Sequence, residues 1–285
     1  MKFYCLHEGF YESVQLRIDQ LKAACNQLNI ECIVLNSLTV DYSNLPLLGK
    51  GDLLYNCARG SETLETLLVN KDVTTFYINN PDFVTFNPDT TKYSMLHDKA
   101  RIPAPKTIYH LTADRQLLKN YVDYLGGFPL IIKATGSTCG IGTIKIETWQ
   151  NLVSTVDYLV TTGDKFILRQ FIDAKGTARI IVLGKQIIAS VFRENHSNDF
   201  RVSGSKDQII DYPKSFDNSI YDMAIKASLI ANAEMAGVDI LFDKDENPYL
   251  LEINFPHDFS TPQRICKTDI ALTMIEYLMK KVKQQ

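Results

Sequence analysis

The chain has 285 residues, of which 45% are hydrophobic and 22% charged, enough apolar mass for one large or two modest cores. Its formal net charge is -3, and no basic block is dense enough to track nucleic acid or an anionic membrane surface. No apolar run reaches the roughly 18 to 20 residues of a membrane span, and MKFYCLHEGFYESVQLR puts acids where a signal peptide is apolar, so a cytoplasmic protein is expected.

Along the first 80 residues short apolar runs alternate with helical patterns. KFYCL reads as a strand, and Val14, Ile18, Leu21, Cys25 and Leu28 then recur on one face of an amphipathic helix. ECIVLN, DLLYNCA and TTFYIN read as further strands, with a helix starting at SETLETLLVN between the last two. Strands separated by helices imply a parallel sheet in a small α/β domain. NNPDFVTFNPDTT, at about residues 79 to 91, is the expected domain boundary. A helix-like KYSMLHDKA follows, and the two prolines of RIPAPKT make an extended connector. The six cysteines show no CxxC pair or metal-finger spacing, so reduced thiols are expected.

From residue 128, FPLIIKATGSTCGIGTIKIET reads as strand, glycine loop and strand. A Walker loop or dinucleotide fingerprint would run into a helix after the glycines. Here the alternating IKIET continues as strand, which makes the loop with Gly136, Gly140 and Gly142 a flap whose backbone N–H groups can approach anionic oxygens. Lys133 lies beside it and could meet a phosphate as a point charge. A plain glycine hairpin is the competing reading.

KFILRQFI is another strand, and RIIVLGKQIIASVFRE a hairpin turning at Leu183, Gly184 and Lys185. Arg179, Arg193 and Arg201 stand around it, as solvated sheet margins or as a site for phosphate or carboxylate. After the helix IYDMAIKASLIANAEMAG, the turn residues DKDENP join VDILF to YLLEINF. In the register that pairs Leu241 with Leu250, Asp239 lies opposite Glu252, and Asn254 shares their face. Two facing carboxylates repel unless a proton or a cation intervenes. Oxygen donors without His or Cys favour magnesium, which commonly completes its shell with substrate phosphates and water.

TKYSMLHDKARIPAPKT, FPLIIKATGSTCGIG, LRQFI, GTARIIVLGKQIIASVFRE, AGVDIL, LLEINF and KTDIALTMIEYL, in this order, resemble the RimK-type amino-acid ligases of the ATP-grasp superfamily from about Thr91 to Asp269. The resemblance implies an α/β N-terminal (pre-ATP-grasp) domain over residues 1–88. An α+β ATP-grasp fold over 89–285 follows, its central lobe at about 100–165 and its C-terminal lobe at about 166–285 clasping ATP. It implies phosphate contacts from Lys92 and Lys133, a flap formed by Ser137, Gly140, Ile141 and Gly142, and an adenine strand at Gln170, Phe171 and Ile172. Arg179 and Arg193 match arginines near the transferred phosphate, Arg201 and His257 fall on the substrate side, and Asp239, Glu252 and Asn254 match ligands of two Mg2+ ions, for which Mn2+ could substitute.

The reaction so implied joins a carboxylate to an amine, one of them an amino acid, through an acyl phosphate with release of ADP, in a chain that could form a homo-oligomer. Thr177, Val202, Ser203, Cys139 and FPHDFSTPQR depart from the usual pattern and leave donor and acceptor open. A kinase on the same fold and a silent nucleotide-binding module are the rival readings.

Overall fold

The structure, a computed structural model, describes residues 1–9, 11–79, 91–135, 140–163, 165–195, 199–201 and 209–284. In the N-terminal part β1 (Lys2–His7), α1 (Glu12–Gln27), β2 (Glu31–Asn36), β3 (Leu53–Asn56) and α2 (Glu62–Leu68) follow one another. The strands form a parallel sheet in the order β2-β1-β3. Val14, Ile18, Leu21 and Cys25 of α1 are buried against it, the face that the periodicity marks.

The expected strand TTFYIN is not a regular strand. Thr74 bridges to Leu53 and Tyr77 to Ala233. The remaining backbone bonds go to a turn, with Glu234 N donating to Phe76 O at 2.7 Å and Ile78 N to Asn232 O at 3.2 Å. Phe76 and Tyr77 are drawn into the core instead of alternating across a sheet. Of the expected boundary at about residues 79 to 91, residues 80–90 lie outside the described residues.

α3 (Thr91–Lys99) leads through the proline connector into β4 (Thr107–Ile108), α4 (Arg115–Leu125), β5 (Leu130–Ala134), β6 (Thr143–Ile146), α5 (Trp149–Thr162) and β7 (Phe166–Gln170). These strands form an antiparallel sheet, β4-β7-β5-β6. The side chain of Asp114 caps α4 through Leu117 N and Thr148 caps α5 through Asn151 N, while Gly126 (φ 95) and Gly163 (φ 74) end them. Leu118, Leu125, Leu152, Val156 and Leu159 of the two helices cover Leu130, Ile132 and Leu168. Strand alternation then sends Lys133 to the uncovered face.

The third sheet holds β8 (Ala174–Leu183), β9 (Gln186–Asn195), β10 (Ile209–Pro213), β11 (Met235–Asp243) and β12 (Pro248–Asn254). It is antiparallel in the order β10-β9-β8-β11-β12. α6 (Asn218–Ile230) packs on one face, and α7 (Ser260–Cys266) and α8 (Ile270–Val282) complete the chain. The helix expected over 220–237 ends at Ile230. Asn232 takes a left-handed φ of 60, and Met235 to Gly237 belong to β11.

The β11–β12 register also needs correction. Leu241 faces Tyr249 and Ile240 faces Leu250, but a bulge shifts the pairing so that Asp239 still faces Glu252. Leu251 absorbs the extra position. One core runs from Phe3, Cys25 and Tyr55 through Ile180 and Val238 to Met274, Ile275 and Leu278, so α8 ties the parallel sheet to the five-stranded one. The five described cysteines are free. Among the described residues no helix is long and apolar enough to cross a membrane.

Glu65 of α2 is only 3% exposed, and accepts hydrogen bonds from Asn56 Nδ2 at 3.0 Å and Tyr77 OH at 2.9 Å. Burial pushes its carboxyl up from 4.5 to about 7. Between those pH values the folded chain holds a proton that the unfolded chain has lost, so this group's stabilisation falls as pH rises. Urea unfolding of the chain and of Glu65→Gln should therefore differ by an amount that changes by about 3 kcal/mol from pH 4.5 to 7. A pH-independent difference contradicts this.

Candidate active site

The face of the five-stranded sheet turned away from α6 carries a row of charged side chains that follows from register. Asp239 on β11 lies between Glu252 on β12 and Arg179 on β8, and Asp211 on β10 lies opposite Arg193 on β9. Arg179 holds Asp239 with two hydrogen bonds, Nε to Oδ1 and Nη2 to Oδ2, the latter 2.8 Å. Arg193 grips Asp211 the same way, both at 2.8 Å. Such fork-to-carboxylate pairs fix direction as well as charge.

Lys133 reaches over from the four-stranded sheet, its Nζ 3.1 Å from Glu252 Oε2. Asn254 joins the two acids, with Nδ2 3.1 Å from Asp239 Oδ2 and 3.4 Å from Glu252 Oε1. Five of the expected site residues thus meet at one place: Lys133, Arg179, Asp239, Glu252 and Asn254. Arg193 stands two strands from Asp239 on the same face.

The two acids titrate as a pair. Burial pushes Asp239 up and the Glu252 charge pushes it further, against the pull of Arg179. Burial acts on Glu252 in the same sense but is outweighed by Lys133 and Arg179, and its carboxyl ends below the usual range. The sheet therefore holds two negative groups in contact only because cations flank them.

A divalent ion fits this donor set. Among the described residues no three His, Cys, Asp or Glu side chains gather as a self-sufficient metal site. Two carboxylates, with the Asn254 amide turned so that its oxygen replaces Nδ2 beside them, would make the kind of partial shell that magnesium completes with phosphate oxygens and water.

The flap side is partly described. Ser137 and Cys139 lie outside the described residues. Gly140 and Gly142 have φ of 72 and 73, and Lys133 pairs with Thr143 across the hairpin. Ile141 is exposed. A Cβ on Gly140 would come within 3.4 Å of Arg201 Cδ, so the flap base rests on that side chain. Arg201 itself bonds Asp199, Nη2 to Oδ2 at 2.6 Å.

Gln170 is turned to the connector, its Oε1 accepting from Lys106 N at 3.3 Å. Phe171 and Ile172 follow it, half-buried, between β7 and β8. Lys145 Nζ stands 4.8 Å from the Phe171 ring centre. Lys92, exposed in the first turn of α3, is not brought to the acid pair by any contact among the described residues.

His257 is 3% exposed, and neither ring nitrogen has a partner. Its ring lies so close to β11 that a Cβ on Gly237 would be 3.0 Å away. Burial, with Arg179 and Arg17 adding to it, holds its pKa well below the ordinary range, so the imidazole is neutral at pH 7.

Three charged groups were not read from the sequence. Asp211 needs the β9–β10 register to be seen. Arg169 is buried, with Nε 3.0 Å from Thr107 Oγ1. Arg17 left a visible signal, since it falls within the apolar stripe Val14, Ile18, Leu21 of α1.

The central pair yields a direct test. Asp239→Leu leaves the Arg179 guanidinium half-buried and unpaired, and should lower stability by about 3 kcal/mol. Adding Arg179→Met should recover most of that loss. Equal melting of single and double variants contradicts the pairing.

The RimK-like ATP-grasp domain model matches residues 88–278. A protein of Maridesulfovibrio salexigens named probable α-L-glutamate ligase is 26% identical over 245 residues, 83% of this chain and 75% of that one. One of Rhodopirellula baltica with the same name is 25% identical over 213 residues, 73% of this chain, and the match spans about half, 51%, of that relative's length. The crystal structure of the D-cycloserine synthetase DcsG superposes with a TM-score of 0.74 at 14% identity, over 99% of this chain and 100% of that one, and so shares the fold. By the extent of the family match, this chain belongs to the RimK-like ATP-grasp family.

Proposed function

We propose that the chain is an ATP-dependent carboxylate–amine ligase whose reaction runs at the Asp239–Glu252–Asn254 face. The observation that carries this reading is the meeting of two carboxylates and an amide with Lys133 and Arg179 between two antiparallel sheets. Asp239, Glu252 and Asn254 would hold magnesium, which offsets charge on the phosphates when bound. Residues 1–88 form a separate α/β domain in this reading.

In the first step a carboxylate oxygen attacks the γ-phosphorus of ATP and ADP leaves. In the second an amine nitrogen attacks the acyl carbon, phosphate leaves and one proton is lost. The chain's own task is positioning and electrostatics. Lys133 turns from Glu252 to phosphate oxygens, and Arg179 and Arg193 neutralise the transferring group. Lys92, Ser137, Gly140, Ile141 and Gly142 cover the triphosphate, with Gln170, Phe171 and Ile172 along the adenine. Arg201, beside the flap base, and His257 border the second substrate.

The relatives named α-L-glutamate ligases make L-glutamate the first amino acid to try. Thr177, which faces Arg193 across β8 and β9, stands where the family resemblance implies an acid, so the screen should be wide. Incubating amino acids and small carboxylic acids pairwise with ATP and magnesium should release ADP and give a new amide by mass. A stable phosphoester instead would make it a kinase, and no ADP from any pair would remove the ligase reading.

Glu252→Ala should cut ADP release by at least about a hundredfold, with an unchanged circular dichroism spectrum. Full turnover in that variant contradicts the assignment.

A further inference from the structure

At the C-terminal ends of β1 and β3 the parallel sheet meets the turn that follows β12. The sheet order reverses there, the place where open α/β sheets take ligands. The turn is Phe255 to Asp258, and Phe255 packs 6.2 Å from Tyr55 and 5.5 Å from Tyr77, ring centre to ring centre.

Among the described residues, this junction holds several buried polar groups whose hydrogen-bonding capacity is not used up. Arg17 is 7% exposed. It donates from Nε to its own helix at Ser13 O, 3.1 Å, and from Nη1 to His257 O, 3.1 Å. Two of its five N–H groups are used so, and among the described residues no carboxylate pairs with it. Tyr55 OH and both His257 nitrogens are buried and unpartnered.

The nearby acids face elsewhere. Glu65 bonds Asn56 and Tyr77, Asp258 bonds Ser260 N at 3.0 Å and Thr261 Oγ1 at 3.2 Å, and Glu8 bonds Ser37 Oγ at 3.2 Å. A buried guanidinium beside unpaired hydroxyl and imidazole groups calls for a compact anion with several lone pairs. Arg17 holds the His257 carbonyl at 3.1 Å, and Tyr55 packs on Phe255 two residues before His257, so the three belong to one junction.

We propose that Arg17, Tyr55 and His257 bind the carboxylate of the amino-acid substrate that is not joined in the reaction. The inference rests on the ligase reading. Gly237, under the His257 ring, is two strand positions from Asp239, about 7 Å at the usual strand rise. An α-amino acid held there by its carboxylate extends its amino group toward the acyl carbon beside Arg179. Entry of the carboxylate replaces the Arg17–His257 carbonyl bond with a fork-to-carboxylate pair.

The test uses the full chain with 15N-labelled histidine, saturated with Mg-AMPPNP and titrated with the proteinogenic L-amino acids and their α-amides. The His257 resonances are assigned among the five histidines by their loss in His257→Gln. At least one free amino acid should shift them, and its α-amide should not. Arg17→Gln should weaken that binding by at least about tenfold with Mg-AMPPNP affinity unchanged. Arg17→Lys, which keeps charge and stem but loses the planar fork, should weaken it as well and guards against a folding defect in the first variant. If no amino acid shifts His257, if the amide binds as well as the acid, or if both Arg17 variants bind normally, the site is overturned. Failure to bind Mg-AMPPNP would overturn the ligase reading itself.

Discussion

The structure depends on a repulsion. Asp239 and Glu252 face each other across β11 and β12, where facing like charges destabilise a sheet. The chain answers with donors from three directions: the cation Arg179 from β8, the neutral Asn254 amide from the same strand as Glu252, and the cation Lys133 from a different sheet. The last contact matters most for architecture. The four-stranded sheet has its own hydrophobic cluster, distinct from the one that runs through the other two sheets. Near the site it meets the rest of the chain through the Lys133–Glu252 ion pair.

That division of labour suits a site that must accept a highly charged substrate. Lys133 and Arg179 spend their charge on the acid pair when nothing else is present, and in the proposed reaction the same two groups serve phosphate. Each exchange swaps one ion pair for another, which avoids stranding a half-buried charge. Arg193, tied to Asp211 rather than to the acid pair, keeps its orientation through such an exchange.

Much of this was legible in the residues. Alternation in FPLIIKATGSTCGIGTIKIET put Lys133 on a strand beside a glycine turn, and acids inside VDILF and YLLEINF stood out because sheets rarely bury them unpaired. The facing of Asp239 and Glu252 survived an error in register because a bulge at Leu251 compensates for it. TTFYIN misled because β-branched and aromatic residues pack equally well beside a turn, and beyond Thr74 its backbone hydrogen bonds went to residues 232 and 234. The end of α6 was missed because AEMAG has good helix formers, while the left-handed Asn232 that breaks the helix is a tertiary choice. α4 and α5 carried readable caps, Asp114 with Gly126 and Thr148 with Gly163. Asp211 could not have been found, since its meaning comes only from the strand beside it.

The central claim is that the acid pair exists for a divalent cation shared with a nucleotide. Calorimetric titration of the chain with AMPPNP, with magnesium and then with EDTA, tests it most directly. The account predicts binding that needs magnesium and that Asp239→Asn weakens in its presence. Equal affinity with and without a divalent cation, in both proteins, would contradict it.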